Sequence, residues 1–360
     1  MNVGILGGGQ LGRMLALAGY PLGLRFRFLD PAPDAPAGHL AEHLIGGYTD
    51  LDLLDDFADG LDVVTYEFEN VPVAAAKHLA QRVPVYPPPI ALATAQDRLT
   101  EKRFFTELDI PTPRFVPVDS RDDLAAAIAA IGLPGVLKTR RLGYDGKGQA
   151  MLRSAGDIDD VWQLLGRQPL IYEAFVPFDR ELSILAVRGQ DGATAFYPLV
   201  ENHHREGILR LSLGPAPDCP PALQQQAAAY AQRALDALGY VGVLAIELFQ
   251  VGDALLANEM APRVHNSGHW TIEGSVTSQF ENHLRAVCGL PLGDTAPRGY
   301  AAMVNLIGAL PDRANVLTIP GAYFHDYGKA PRPGRKLGHV TLVETDRATL
   351  QAKVDRIKAL

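Results

Sequence analysis

The sequence holds only two cysteines in 360 residues, Cys219 and Cys288. They lie far apart, and neither has a Cys or His neighbour at metal-binding spacing. That excludes a disulfide scaffold and argues against zinc. Positive charge is also short: 33 Lys and Arg against 41 Asp and Glu give a net charge of −8. A chain of that sign has no general attraction for nucleic acid or an anionic membrane, although a local basic site for a small anion is compatible with it. No apolar run approaches the ~20 residues needed to span a bilayer. The N-terminal residues pass straight into a strand-and-glycine pattern without a basic segment or long apolar stretch, so no signal peptide is expected and the protein is expected to be cytoplasmic. Internal repeats and low-complexity tracts are missing too. What remains is an ordinary globular mixture, 47% hydrophobic and 21% charged. It suffices for a large core, over a length suited to two or three domains.

The first ninety residues alternate strand and helix. Strands are expected at Val3–Leu6, Leu24–Leu29, Val63–Tyr66 and Val83–Tyr86, with helices at Leu11–Ala18 and Leu51–Ala58. Strands separated by helices predict a parallel sheet. Pro87-Pro88-Pro89 then predicts a domain edge, because three residues without an N–H resist both helix and central strand. Beyond it the pattern predicts a helix around Asp97–Thr100, an extended segment Pro111–Val118, a helix Arg121–Ile131 and a strand Gly135–Thr139. Strands Leu170–Phe175, Leu182–Val187 and Ala193–Tyr197 follow. An Ala-rich helix Gln224–Leu238 stops at Gly239 in the C′ position, ahead of strands Val243–Phe249 and Ala254–Glu259. From about Ala301 the chain is β-rich, with a helix over Arg347–Leu360. The expected spans are residues 1–90, 91–295 and 296–360.

Glycines at 7, 9 and 12 match G-x-G-x-x-G after a strand, and Asp30 ends the second strand. Alone, this suggests an NAD-dependent oxidoreductase. The physics is less specific: glycines at a strand-to-helix turn let backbone amides approach any anion at the positive helix end. The motif therefore predicts phosphate binding ahead of mere close packing, and a dinucleotide behind both.

A second phosphate apparatus is more specific. Lys138 ends an apolar strand, and Gly143-Tyr144-Asp145-Gly146-Lys147-Gly148-Gln149 follows it. A cation beside an amide-rich flexible loop is what ATP phosphates require. Glu173, in the apolar strand Ile171–Val176, could accept from the adenine amine, and Glu181 could bind ribose hydroxyls. Glu247 and Glu259 sit in two apolar strands that turn around Gly252-Asp253. A loop of odd length places the two carboxylates opposite each other; an even loop shifts the pairing and leaves one facing solvent. Facing carboxylates repel, and Mg²⁺ shared with ATP phosphates removes the conflict.

Lysine, glycine loop, Glu hinge and hairpin carboxylates occur in the order found in ATP-grasp enzymes. In detail the chain resembles the carboxyaminoimidazole ribonucleotide synthetases. The resemblance rests on Gly8–Met14, Tyr66–Val71, Asp97–Thr100, Gly143–Gln149, Asn258–Trp270 and Arg332–His339, which span most of the chain. One departure is Met260, where the family carries Leu, a volume-conserving change. The resemblance implies an α/β and α+β fold. It would have an N-terminal parallel, Rossmann-like domain (1–90, the substrate phosphate side), an ATP-grasp domain (91–295) and a small C-terminal β-rich domain (296–360). It further implies that Arg98, Lys138, the Gly143–Gln149 loop, Glu173, Ala174, Phe175, Val176, Glu181, His204, Asn258 and Glu259 contact ATP, and that Glu247 and Glu259 bind Mg²⁺. Gln10, Leu11, Glu69, Arg263, His265, Lys329, Arg332 and Arg335 would surround the aminoimidazole ribonucleotide. Tyr144, Asp145, Arg263 and His265 would lie at the reacting atoms. The implied reaction joins ATP, bicarbonate and the ribonucleotide through carboxyphosphate, in a homodimer, within purine biosynthesis.

The residues are chemically suited to this. Arg263 and Arg335 can grip planar oxyanions, and His265 is expected to titrate near neutrality and relay a proton. His39, His43, His78, His283 and His325 lack such context. The basic run Lys329–Lys336 is stiffened by Pro331, Pro333 and Gly334 and suits a phosphate ester. A superfamily relative acting on formate or another acid, and a non-catalytic nucleotide-binding module, are the competing readings.

Overall fold

The computed structural model describes residues 1–143 and 146–360. Its N-terminal sheet is wholly parallel, built from β1 (Asn2–Leu6), β2 (Arg25–Asp30), β3 (Glu42–Ile45) and β4 (Val63–Tyr66) in the order β3-β2-β1-β4. Helices α1 (Gln10–Gly19), α2 (Leu51–Ala58) and α3 (Val73–Leu79) lie between and after these strands. Val3, Ile5 and Leu6 are fully buried, as are all four residues of β4, as expected of parallel strands covered on both faces. The expected strand Val83–Tyr86 is reduced to one parallel bridge, Val64 to Val85. Pro84 and Pro87 have no N–H with which to extend it. The proline run does not resist helix either. Pro88 is the cap and Pro89 the first residue of α4 (Pro89–Ala95), where a fixed φ and a missing donor cost nothing.

Helix α5 (Arg98–Glu107) starts at Asp97, whose Oδ1 accepts from Leu99 N at 3.0 Å and Thr100 N at 3.2 Å, a side-chain N-cap. An antiparallel sheet of order β5-β8-β6-β7 follows, from β5 (Phe115–Val118), β6 (Gly135–Thr139), β7 (Gln149–Leu152) and β8 (Leu170–Ala174). It is backed by α6 (Arg121–Ile131) and α7 (Ile158–Leu165) around Leu124, Leu137, Leu152 and Leu170.

The largest sheet has nine antiparallel strands. They are β9 (Arg180–Arg188), β10 (Thr194–Phe196), β11 (Val200–Arg205), β12 (Ile208–Gly214), β13 (Gly242–Val251), β14 (Ala254–Ala261), β15 (Tyr300–Ile307), β16 (Ala322–Asp326) and β17 (Lys336–Glu344). The path is β14-β13-β9-β11-β12-β15-β17-β16, with β10 on β9. Thus the C-terminal strands extend the central sheet, joined where Leu211 faces Val304 and Leu213 faces Ala302. Helix α8 (Pro221–Ala237) lays Leu223, Ala227, Tyr230, Ala231, Ala234 and Leu235 on the sheet at helical spacing. Helices α9 (Thr271–Gly274), α10 (Gln279–Val287), α11 (Arg313–Leu317) and α12 (Arg347–Lys358) complete the described residues. The N-terminal sheet docks through α1 and α10. Leu15, Phe26, Leu284 and Val287 share one buried cluster. Among the described residues no helix is long and apolar enough to cross a membrane.

Candidate active site

The site is built on the β13–β14 hairpin. Its turn has two residues, Gly252 and Asp253, with Val251 opposite Ala254. This is an even turn, which by itself would set Glu247 opposite Asn258. The register instead shifts by one between Leu248, which faces Ala257, and Glu247, which faces Glu259. Asn258 is the extra residue of a β-bulge. The condition of an odd loop is therefore not met, and the two glutamates pair nonetheless.

Both carboxylates line a cleft of about 280 Å³, together with Arg98, Lys138, Asn258, Arg263 and His265. Burial and the charge of Glu259 raise the Glu247 carboxyl to about 7. Burial also opposes ionisation of Glu259, but Arg98, whose NH1 lies 2.7 Å from Glu259 Oε2, outweighs it and holds that carboxyl at about 2. One acid is thus charged at neutral pH and the other poised, the outcome expected of two close carboxylates near one cation. Among the described residues no group of three or more His, Cys, Asp or Glu is arranged to hold a metal by itself. A pair of carboxylates awaiting phosphate oxygens is, however, the donor set Mg²⁺ takes. Asn258 Oδ1 is buried without a partner beside them, an oxygen suited to the same cation.

Lys138, on β6, opens into the same cleft and donates to Glu173 Oε2 at 2.9 Å. Burial raises Glu173, but Lys102 and Lys138 overcome it and hold the carboxyl at about 2. Its second oxygen, Oε1, is buried and unpartnered, so an acceptor remains for a ligand amine. Glu173 also lines an adjoining groove, with Val136, Met151, Ala174, Phe175, Val176, Phe178 and Phe249. The rings of Phe178 and Phe249 stack there, 4.7 Å apart. Groove and cleft share Lys138, Gly146, Gln149, Glu181 and Asn258. A flat apolar slot joined to a cationic chamber matches a base joined to a polyphosphate. Glu181 Oε2 lies 2.8 Å from His204 Nδ1, and both side chains face the cleft. Gly143, Gly146, Lys147 and Gln149 also line it. Gly148 has φ +72°, and a Cβ there would meet Thr139 Oγ1 at 2.5 Å. Tyr144 and Asp145 lie outside the described residues.

At the opposite end stand Gln10, Leu11, Glu69, Arg263, His265, Asn266 and Lys336. Glu69 pairs with Arg263 Nε, and Arg263 NH1 donates to Val264 O at 3.0 Å. Much of the guanidinium fork is therefore committed to the protein. His265 departs from its expected role. Burial, then the positive charges of Arg263 and Lys336, lower it to about 3, so it stays neutral instead of titrating near pH 7. Its Nδ1 accepts from Ser267 N at 3.3 Å and lies 2.9 Å from Ser267 Oγ. The ring hydrogen consequently sits on Nε2, 3.4 Å from Glu247 Oε1.

The basic run is only partly gathered in. Lys329 Nζ donates to the Gln10 side chain, tying the C-terminal loop to α1. Arg335 NH1 donates to Ala330 O at 3.1 Å, while Arg332 is exposed. Neither arginine lines the cleft; Lys336 does. Lys336 was visible in the sequence as part of the basic run, but nothing there distinguished it from its neighbours. Gly207 and Leu209 also line the cleft without having been singled out; Asn266, which the polar run after Glu259 marks in the sequence, lines it too.

The N-terminal glycines do not present free amides. Glu67 accepts from Gly9 N through Oε1 and from Gly12 N at 2.6 Å through Oε2, and Asp30 Oδ2 accepts from Gly8 N at 2.8 Å. An anion does sit at the helix start, as the motif predicts, but it is the chain's own carboxylate. The amides of Gly8, Gly9 and Gly12 are thus taken, which displaces the dinucleotide reading: a pyrophosphate would have to enter against two acids.

Family models match three consecutive stretches: a ribonucleotide synthetase preATP-grasp domain over residues 1–96, an ATP-grasp domain over 103–280 and a phosphoribosylaminoimidazole carboxylase C-terminal domain over 301–353. The N5-carboxyaminoimidazole ribonucleotide synthase of Pseudomonas aeruginosa is 56% identical over 360 residues, covering 100% of this chain and 99% of the relative. The chain belongs to this family. Its fold is accordingly that of an ATP-grasp ligase, with an N-terminal parallel sheet and a C-terminal family-specific region. The Brucella melitensis synthase is 46% identical, over 95% of this chain and 96% of its own. Among solved structures, the N5-carboxyaminoimidazole ribonucleotide synthetase of Thermus thermophilus superposes with a TM-score of 0.96 at 61% identity, covering 99% of this chain and 98% of that one. The Aspergillus clavatus synthase, crystallised with ADP and 5-aminoimidazole ribonucleotide, superposes at 0.92 with 31% identity, covering 100% and 99%.

Proposed function

We infer that the cleft carboxylates 5-aminoimidazole ribonucleotide, converting it with ATP and bicarbonate into the N5-carboxylated product, ADP and phosphate in purine biosynthesis. The observation that carries this reading is the Glu247–Glu259 pair facing Lys138 in one cavity that also reaches Gln10, Glu69 and Arg263. The base enters the apolar groove, its amine toward Glu173 Oε1. The phosphates lie along Lys138 and the amides of the Gly143–Gln149 loop. Glu247 and Glu259 would hold Mg²⁺, with Asn258 Oδ1 as a further oxygen donor; the ion would supply charge neutralisation on the triphosphate.

A bicarbonate oxygen attacks the γ-phosphorus and ADP leaves, giving carboxyphosphate. Positioning and charge neutralisation are what such a transfer needs. The exocyclic amine of the ribonucleotide then attacks the carboxyl carbon, and phosphate departs. The amine proton passes to the departing phosphate, because neutral His265 presents a hydrogen at Nε2 and no lone pair. His265 and Arg263 donate to the oxyanion. The ribose phosphate sits toward Lys329, Arg332, Arg335 and Lys336. The three spans 1–90, 91–295 and 296–360 meet around this cleft, and the working unit is a cytoplasmic homodimer.

Purified protein should release phosphate from ATP only when the ribonucleotide is present, and should incorporate labelled bicarbonate into an acid-labile product. Release that ignores the ribonucleotide removes this reading. So does stimulation by formate in place of bicarbonate.

A further inference from the structure

The carboxylate pair depends on a bulge, and something must hold that bulge. β14 is an edge strand, so its outer backbone groups have no neighbouring strand to satisfy them. Two adjacent residues of α5 do so instead. Lys102 Nζ donates to the carbonyl of Asn258, the bulged residue, at 2.6 Å and to that of Ala257 at 3.3 Å. Glu101 Oε1 accepts from the amide of Met260 at 2.6 Å. Just before the bulge, Ala257 N is held by Pro111 O at 2.7 Å. Lys102 is completely buried and Glu101 is 2% exposed. Burying a lysine and a glutamate is costly, and natural chains retain such groups where they specify register or switch state. Without the bulge, the two-residue turn would oppose Glu247 with Asn258, and every side chain of β14 beyond it would change face.

We propose that Lys102 and Glu101 are positioning residues that clamp the Asn258 bulge and so set Glu259 opposite Glu247. The clamp rests on the reading of that pair as the metal-binding pair, but its structural half stands without it. Lys102 also lies 3.6 Å from Glu173 Oε2, the oxygen that pairs with Lys138, so the same ammonium joins the hairpin to the lysine side of the cleft.

The test uses full-length Lys102→Met, Glu101→Leu and the conservative Glu101→Gln, which keeps an acceptor for Met260 N–H, with Glu247→Gln alongside. Amide exchange is followed by mass spectrometry over residues 254–264, and carboxylation is titrated with Mg²⁺. Lys102→Met and Glu101→Leu should speed exchange in that segment. They should raise the half-saturating Mg²⁺ concentration by about 10–100-fold, the usual cost of losing a group that orients a metal ligand. The KM for the ribonucleotide should stay within about twofold, since uniform binding of that substrate is untouched. Glu101→Gln should behave as wild type in both measurements. Unchanged exchange in folded Lys102→Met and Glu101→Leu overturns the clamp. Faster exchange with a normal Mg²⁺ requirement also overturns it, provided Glu247→Gln shifts that requirement. If Glu247→Gln leaves the Mg²⁺ requirement unchanged while exchange is faster in the clamp variants, the metal reading has failed and the clamp has not. Should Lys102→Met not fold, the contrast between Glu101→Leu and Glu101→Gln decides alone.

Discussion

Replacing Glu247 by Gln should make the ligand-free protein more stable while removing its metal site. The Glu247 carboxyl lies at about 7 against an ordinary 4.5. At 1.36 kcal/mol per pH unit, ionising it in the folded chain costs about 3 kcal/mol at pH 8, and solvent screening lowers the realised figure to about 1–3 kcal/mol. The sign follows from proton uptake. Between 4.5 and 7 the folded state binds the proton more tightly than the unfolded chain, so wild-type stability falls as pH rises through that interval and levels off above it. Gln carries no such penalty. The variant's advantage should therefore be largest at pH 8 and shrink to below about 1 kcal/mol at pH 5. Urea denaturation in chelator, read at pH 5, 6, 7 and 8, measures this directly. Adding Mg²⁺ and ADP should stabilise wild type and leave the variant almost unmoved, since only binding to the native state shifts the midpoint. A gap of equal size at pH 5 and pH 8 would refute the electrostatic argument. Equal stabilisation of both proteins by Mg²⁺ and ADP would refute the metal assignment.

Gly9→Ala should cost about 2–4 kcal/mol, since its Cβ would stand 2.4 Å from Glu67 Oε1; a thermal melt within a degree of wild type would count against the carboxylate-filled loop. Arg335→Ala should raise the KM for the ribonucleotide about tenfold or more with little change for ATP, and steady-state titration of each substrate separates the two. Glu173→Gln removes the carboxylate that pairs with both buried lysines, Lys102 and Lys138. It should lower stability by about 3 kcal/mol and weaken ATP more than the ribonucleotide, as checked by denaturation and by binding of each ligand alone.

Much of the fold was legible because its signals are local. Helix α6 and strands β4 and β6 follow their apolar periodicity to the residue. β11 escaped because Glu201, His203 and His204 interrupt its alternation, and His204 is polar because it faces the cleft. β3 is a short, half-exposed edge without an alternating pattern. Within the site, Lys138 and the two hairpin glutamates could be found from residue type and order. The bulge could not, since it is held by a helix more than 150 residues earlier in the chain. Glu101 and Lys102 carry no feature in the sequence that sets them apart from the other charged residues of Arg98–Glu107. His265 illustrates the same limit: the burial and the charge of Lys336 that lower its pKa are not plain in the sequence, although its neighbour Arg263, which also lowers it, is.

The seam between β12 and β15 has a bearing on how the protein tolerates cutting. Four backbone pairings, Leu211 to Val304 through Gly214 to Ala301, stitch the last sixty residues into the central sheet. A chain shortened before Tyr300 would leave β12 with a bare row of donors and acceptors along a partly apolar strand, an invitation to self-association. Proteolytic removal of the C-terminal segment should therefore yield aggregates instead of a soluble nucleotide-binding remnant.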